Sequence, residues 1–195
     1  FIGYGKTSQR VAKHLFERGH HISTISRTPK TDCYATHYTQ DVHCLDVTDL
    51  APIDVVYVIL APSQSGIDAY QHTYVDSIKP IVQALASHPV KRIVIVSSTR
   101  VYGQNAGERV DDDSEIQPVD EQGHLLRKME LLWQSYYPLQ SIIVRPTGIY
   151  GISIARLKRL AEQTLSYPNL HFSNRIHIDD LAKFLALLVD LPHVE

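Results

Sequence analysis

Short apolar runs and stretches of helical periodicity alternate along the whole of this chain. Val55-Val56-Tyr57-Val58-Ile59-Leu60 and Ile93-Val94-Ile95-Val96 are continuous and rich in β-branched residues, as expected of strands covered on both faces. Strands are predicted over 1–2, 21–25, 42–45, 55–60, 92–97 and 141–145. Apolar positions three and four apart predict helices over 8–18, 67–86, 121–136, 154–166 and 179–189. Gly19 suits the cap of a helix ending at Arg18, and Asp179-Asp180 place negative charge in the first turn of the last helix. Strands alternating with helices predict an α/β chain with a doubly wound parallel sheet. No repeat or low-complexity tract interrupts it, and residues 107–118, acidic and poor in apolar side chains, are the best candidate for an exposed loop.

The 195 residues suffice for one domain with a sizeable core. A formal charge of −2 and a pI near 6.6 provide no electrostatic footprint for nucleic acid or an anionic membrane. No apolar run reaches the ~18 residues of a membrane span and no signal-peptide pattern opens the chain, so a cytoplasmic protein is expected. The histidines are scattered without metal-ligand spacing, and no metal site is expected. Cys33 and Cys44 lack a CxxC pattern and read as two reduced thiols, with a disulfide between them as the alternative. Phe1-Ile2 runs directly into a glycine turn and few residues follow the last helix, so residues are expected to be missing at both termini.

Candidate chemistry begins at Gly3-Tyr4-Gly5-Lys6-Thr7-Ser8, set between a strand and a helix. The glycines permit a tight turn and close approach of backbone to a pyrophosphate, whose charge falls at the helix N-terminus. Ser8 stands where a third glycine would complete the fingerprint, and such turns also serve purely structural ends. The next strand leads to Ser26-Arg27-Thr28, where an acidic residue would grip a ribose 2′-hydroxyl. Arg27, with Lys30 close by, suits a 2′-phosphate instead, so NADP is expected over NAD; the alternative is a plain surface cation. Asp46-Val47 closes the predicted third strand, where the aspartate can accept from an adenine amino group. Leu60-Ala61-Pro62 ends the fourth, and its small residues leave room for a cofactor. These four elements, in order, predict a Rossmann-type dinucleotide-binding domain over 1–150. Residues 151–195 are expected to hold the start of a small, truncated substrate lobe and a helix returning to the first domain.

Three further segments are Val96-Ser97-Ser98-Thr99-Arg100-Val101-Tyr102-Gly103, Arg145-Pro146-Thr147-Gly148-Ile149-Tyr150-Gly151 and Asn174-Arg175-Ile176-His177-Ile178-Asp179-Asp180. In order and coverage they resemble the SSxxVYG, RPxxxYG and HVDD signatures of the extended short-chain dehydrogenase/reductases, the NAD-dependent epimerase/dehydratase group. The resemblance implies a bound nicotinamide dinucleotide and a nucleotide-sugar or carbonyl substrate. It implies that Ser98 polarises the substrate hydroxyl or carbonyl. Tyr102 either presents a phenol or only shapes the pocket, and Arg100 either binds an anionic group or is simply exposed. Asn174, Arg175 and His177 fall where the substrate lobe meets the nucleotide domain, His177 as an orienting hydrogen-bond residue. Dimers in this family form through the helices after the fourth and fifth strands, here 67–86 and 121–136, which implies a homodimer.

The family's base is a tyrosine, with a lysine four residues later that lowers its pKa and a glutamate eight residues later. Aligned on Glu130, those first two positions hold Gln122 and Leu126. Glutamine has no titratable proton and leucine supplies no cation. No YxxxK occurs in this region, so the chain resembles an atypical branch. His124 and Lys128 share a helix face and are either an improvised acid/base pair or two solvated side chains. Two functions stay open: an epimerase, dehydratase or reductase working with NADP, and a nucleotide-binding sensor or scaffold without turnover.

Overall fold

In the computed structural model, which describes residues 1–163 and 173–192, the glycine turn leads into α1 (Lys6–Glu17), β1 (Ser23–Ser26) and β2 (Thr36–Thr39). Next come β3 (Val55–Val58), α2 (Ile67–Tyr70), α3 (Ile78–Leu85), β4 (Arg92–Val96), α4 (Glu121–Tyr136) and β5 (Ser141–Val144). The chain continues through β6 (Gly148–Tyr150), α5 (Ile154–Gln163), β7 (Arg175–His177) and α6 (Ile178–Leu187). β1 pairs with β2, and β3-β4-β5 form a second ladder, every pairing parallel. Ile2 joins the two ladders, bridging Ile25 of β1 and Val58 of β3 in parallel. The order is therefore β2-β1-Ile2-β3-β4-β5, a doubly wound Rossmann-type sheet whose direction of winding reverses beside Ile2.

The alternation of side chains explains the two layers of helix. Val56, Val58, Ile93 and Ile95 face one side of the sheet, where Ile78, Ile81 and Leu85 of α3 meet Leu126, Met129 and Trp133 of α4. Tyr57 and Val94 face the other, against Val11 and Leu15 of α1 and Leu181, Ala182, Leu185 and Ala186 of α6. The Tyr57 hydroxyl donates to the Leu185 carbonyl at 2.8 Å, so this buried phenol is satisfied. Packed this way, α6 shares a layer with α1 although it follows the segment beyond β6. Among the described residues, no helix is long and apolar enough to cross a membrane.

Three elements depart from the sequence pattern. Residues 42–45 do not make a strand: Val42–Cys44 is a 3₁₀ turn capped by the Asp41 carboxylate. The strand lies earlier, at Thr-His-Tyr-Thr (β2), where an edge position beside β1 asks little apolar character of its residues. The stretch 67–86 is not one α-helix, because a π-helical segment, Gln71–Asp76, separates α2 from α3. Pro80 then falls in the first turn of α3, where its missing N–H costs nothing. Finally, β6 and β7 form a separate parallel pair, Gly148 to Arg175 through Tyr150 to His177. The helix expected over 154–166 is present as α5 to Gln163, and 164–166 lie outside the described residues.

Candidate functional site

A crevice of about 280 Å³ opens at the reversal point of the sheet. Its walls are the turn Gly3-Tyr4-Gly5, the segment after β1 with Arg27, Thr28 and Lys30, the segment after β2 with Gln40, Asp41 and His43, and Leu60 with Ala61 after β3. Gly3 has φ +87°, and a Cβ there would overlap the Ile59 carbonyl oxygen. Gly5 precedes α1 with no side chain capping the first turn, and nothing stands within 4 Å of where its Cβ would be. The first N–H groups of a three-turn helix are thus left free of side-chain caps beside open space, the arrangement that binds a pyrophosphate. Ser8, fully buried, turns its hydroxyl back to the Gly3 carbonyl at 2.8 Å, so it braces the turn instead of facing a ligand. Behind the turn, the buried Tyr4 hydroxyl donates to Asp32 at 3.0 Å, and burial with that carboxylate holds the phenol well above its usual range.

The crevice admits Gly3, Gly5, Arg27, Leu60 and Ala61 from the sequence-predicted set, but not Asp46 or Val47. Asp46 is an exposed turn residue whose carboxylate accepts from the Thr48 hydroxyl and N–H. Val47 is buried in the core and does not line the crevice. The post-strand aspartate that does line the crevice is Asp41, followed by Val42. The chain holds two such Asp-Val pairs, and the strand expected over 42–45 pointed to the one that does not line the crevice. Lys6 is exposed, its ammonium reaching the Ile152 carbonyl at 3.5 Å, while Thr7 sits half-buried in the first turn of α1. Pro62 lies beyond the lining residues.

Arg27 is exposed and takes no carboxylate partner within 4.0 Å among the described residues. It helps hold the Asp41 carboxyl below its usual range, after the larger effects of the His43 backbone N–H and ring. His43 has its Nδ1 on Asp41 Oδ1 at 2.9 Å and its Nε2 on the His72 carbonyl at 3.1 Å. The two imidazoles stack with centroids 3.8 Å apart and planes 7° from parallel. Neither histidine was singled out by the sequence. With its uncapped helix start, its glycine cradle and its cations, the crevice fits a dinucleotide.

Beyond the C-terminal end of β4, a 3₁₀ turn, Thr99–Val101, presents the second group of candidates. Ser98 caps it, accepting from the Arg100 N–H at 3.2 Å. Arg100 grips Asp120, the cap of α4, with Nε 3.0 Å from both carboxylate oxygens, so its charge is already matched. Hydrogen bonds from Arg100 and the Gly123 N–H hold the Asp120 carboxyl below its usual range. The Tyr102 hydroxyl accepts from Arg145 Nη1 at 2.9 Å and reaches the Asp111 carbonyl at 3.3 Å. Arg145 in turn chelates Glu130, fully buried, which also accepts from Ser97 and Arg127. Tyr102 is thereby a braced phenol.

Gln122 donates from its side-chain amide to the Ser65 carbonyl, tying α4 to the loop after β3, and Leu126 is buried in the core. His124 and Lys128 are exposed on α4. Asn174 accepts the Gly148 N–H through its backbone carbonyl, and Arg175 donates to the Ser173 hydroxyl. His177 caps α6, its Nδ1 accepting from the Asp179 N–H at 3.3 Å, and a Cβ on Gly151 would overlap its ring. Its observed contacts are those of a structural brace. No cluster of three or more His, Cys, Asp or Glu side chains able to hold a metal occurs among the described residues.

The family model described as NAD dependent epimerase/dehydratase family matches residues 3–193. Protein YeeZ of Escherichia coli K12 is 25% identical over 203 residues, covering 98% of this chain and 72% of its own length. A solved structure from Methylobacillus flagellatus, carrying the designation NAD-dependent epimerase/dehydratase, superposes with a TM-score of 0.80 at 29% identity, over 96% of this chain and 68% of that one. MoeE5, solved with UDP-glucuronic acid and NAD, has a TM-score of 0.80 at 20% identity, over 96% of this chain and 70% of its own; that likeness is one of fold.

Proposed function

The chain belongs to the NAD dependent epimerase/dehydratase family, and we propose that, within it, this chain binds NADP(H) in preference to NAD(H). We further propose that it holds a nucleotide-linked or carbonyl substrate near Ser98 without a tyrosine–lysine base. The observation that carries the cofactor reading is the placement of Arg27 and Lys30 on the wall of the crevice, beside the glycine turn. A guanidinium there pairs with a 2′-phosphate but, having no acceptor, cannot take the hydrogen bonds of a ribose diol as a carboxylate would. Support for a nucleotide-sugar substrate comes from MoeE5, whose structures contain UDP-glucuronic acid or UDP-glucose with NAD.

When bound, the nicotinamide supplies the carbon that takes or gives hydride. This chain's residues provide position and polarity. The first turn of α1 faces the pyrophosphate, Arg27 the adenosine end, and the Ser98 hydroxyl can donate to a substrate oxygen. Gln122 and Leu126 can neither take nor stabilise a proton there, so proton transfer falls to Tyr102, to His124 or to water. A sensor or scaffold without turnover is the second reading, favoured by the engagement of Gln122 with Ser65 and the burial of Leu126. Residues 67–86, which span α2, the π-helical segment and α3, and α4 are the proposed homodimer face, which light scattering on the purified protein checks directly.

Titration of the purified protein with NADPH and NADH, followed by nucleotide fluorescence, tests the cofactor reading. Arg27→Ala should weaken NADPH by about 10- to 100-fold, the worth of a charge-assisted contact of roughly 1.5–3 kcal/mol, and leave NADH unchanged. Equal loss of both nucleotides, or tight NADH binding by the parent chain, overturns the preference. Once binding is shown, hydride exchange with UDP-sugars separates the enzyme from the sensor.

A further inference from the structure

The feature that the glycine turn and Arg27 leave unexplained is the histidine pair on the opposite wall of the crevice. His43 and His72 both line it, stacked face to face. Both ring nitrogens of His43 point at groups that only accept: the Asp41 carboxylate at 2.9 Å and the His72 backbone carbonyl at 3.1 Å. A neutral imidazole carries one N–H and leaves one of these two contacts without a proton. With protons on both nitrogens the ring donates twice, in the plane already set by its stack on His72.

After β1 come Arg27 and Lys30, Lys30 donating to the Thr28 hydroxyl. After β2 comes Asp41, which also accepts the His43 backbone N–H. The π-helical segment bears His72, Tyr74, whose hydroxyl turns to the Leu60 carbonyl, and Asp76, which accepts from Gln71. From α3, which packs on the same 3₁₀ turn, the one titratable side chain is Lys79, exposed to solvent. The crevice wall therefore holds two fixed cations, one carboxylate and two histidines. With His43 neutral, the Asp41 carboxylate stands on the crevice wall as a negative charge that opposes a phosphate, although it makes no ion pair with Arg27. With His43 protonated, Asp41 is matched by the ring it already touches and no longer opposes the charge that Arg27 offers the ligand.

We propose that His43 sets the cofactor specificity of the crevice: its protonation neutralises Asp41 and strengthens binding of a 2′-phosphorylated dinucleotide relative to the unphosphorylated one. The proposal rests on the cofactor reading above and makes the NADPH-to-NADH affinity ratio a function of pH. The 2′-phosphate itself titrates near pH 6, which works against the effect in every variant alike. His43→Gln keeps a side chain that can donate to Asp41 but cannot charge, so comparing it with the parent isolates the histidine.

The experiment is fluorescence titration of NADPH and NADH against the parent protein and His43→Gln, at about pH 6 and pH 8 and at low salt. The ratio of the two affinities should rise toward acid about threefold to fivefold more in the parent than in His43→Gln, the effect of one partly exposed charge. NADH binding by the variant confirms that its crevice is intact. Identical pH dependence of the ratio in the two proteins overturns the role of His43 and leaves the cofactor reading standing. Absence of binding by the parent at both pH values removes the cofactor reading and this inference with it.

Discussion

Glu130 offers the sharpest test of how the segment after β4, with Tyr102, is held. Its carboxylate is fully buried and meets four donors: Ser97 at 2.7 Å, Arg145 at 2.9 and 3.0 Å, and Arg127 at 3.2 Å. Glu130→Gln keeps the volume and removes the charge, so an amide N–H must face one of these donors. The Arg145 side chain is only 17% exposed and is left charged without its partner. Losing one member of a buried pair costs about 3–5 kcal/mol. Arg127, at 30% exposure, adds little because solvent screens it. Against a total stability of roughly 5–15 kcal/mol, the variant should fold but melt early. With a urea slope of about 2–3 kcal/mol/M, the unfolding midpoint falls by about 1–2.5 M. Replacing both Glu130 and Arg145 by Met should cost less than the single change, since no unpaired charge remains. A midpoint for Glu130→Gln within about 0.3 M of the parent refutes the view that this carboxylate holds Arg145 and, through it, Tyr102.

Two further changes probe the nucleotide side and the helix that follows it. Gly3→Ala forces a Cβ onto the Ile59 carbonyl at a positive φ, so the turn must move; calorimetric melting should show a loss of at least ~1 kcal/mol, and NADPH affinity should fall with it. Asp120→Ala removes the cap of α4 and should cost about 1 kcal/mol at neutral pH. Because the folded protein holds this carboxyl below its unfolded value, the stabilisation is present above about pH 4 and is lost as pH falls through the lowered value. Urea titrations of parent and variant should therefore converge in acid, and a difference that persists there contradicts the assignment.

Periodicity located the elements whose burial leaves no choice. β3 and β4 are apolar on both faces and α4 begins at a capped aspartate, so local pattern and packing agree. β2 was hidden because an edge strand of Thr-His-Tyr-Thr is stabilised by its neighbour more than by its own composition. That single displacement moved the crevice aspartate from Asp41 to Asp46 and kept His43 out of view. An alternating polar pattern followed by Gln40-Asp41-Val42 was the signal available. The hydrogen bond from Gln122 to Ser65 and the close approach of His177 to Gly151 were not legible, because each joins residues far apart in the chain.

The two ladders of the sheet meet at one residue. Ile2 donates to Tyr57 and accepts from Ile59, while Ile25 donates to Phe1 and Gly3 donates to Ile25. Four amide protons thus stitch the β1-β2 wing to the β3-β4-β5 wing, and the glycine turn is the next link in the thread. Opening this seam exposes those amides to solvent together, without melting either wing. A ligand seated on the turn weights the closed state, so its binding free energy is expressed as slower deuterium uptake at Ile2, Gly3, Ile25 and Ile59. The turn proposed to take the nucleotide is in this way also the place where the two wings are coupled mechanically.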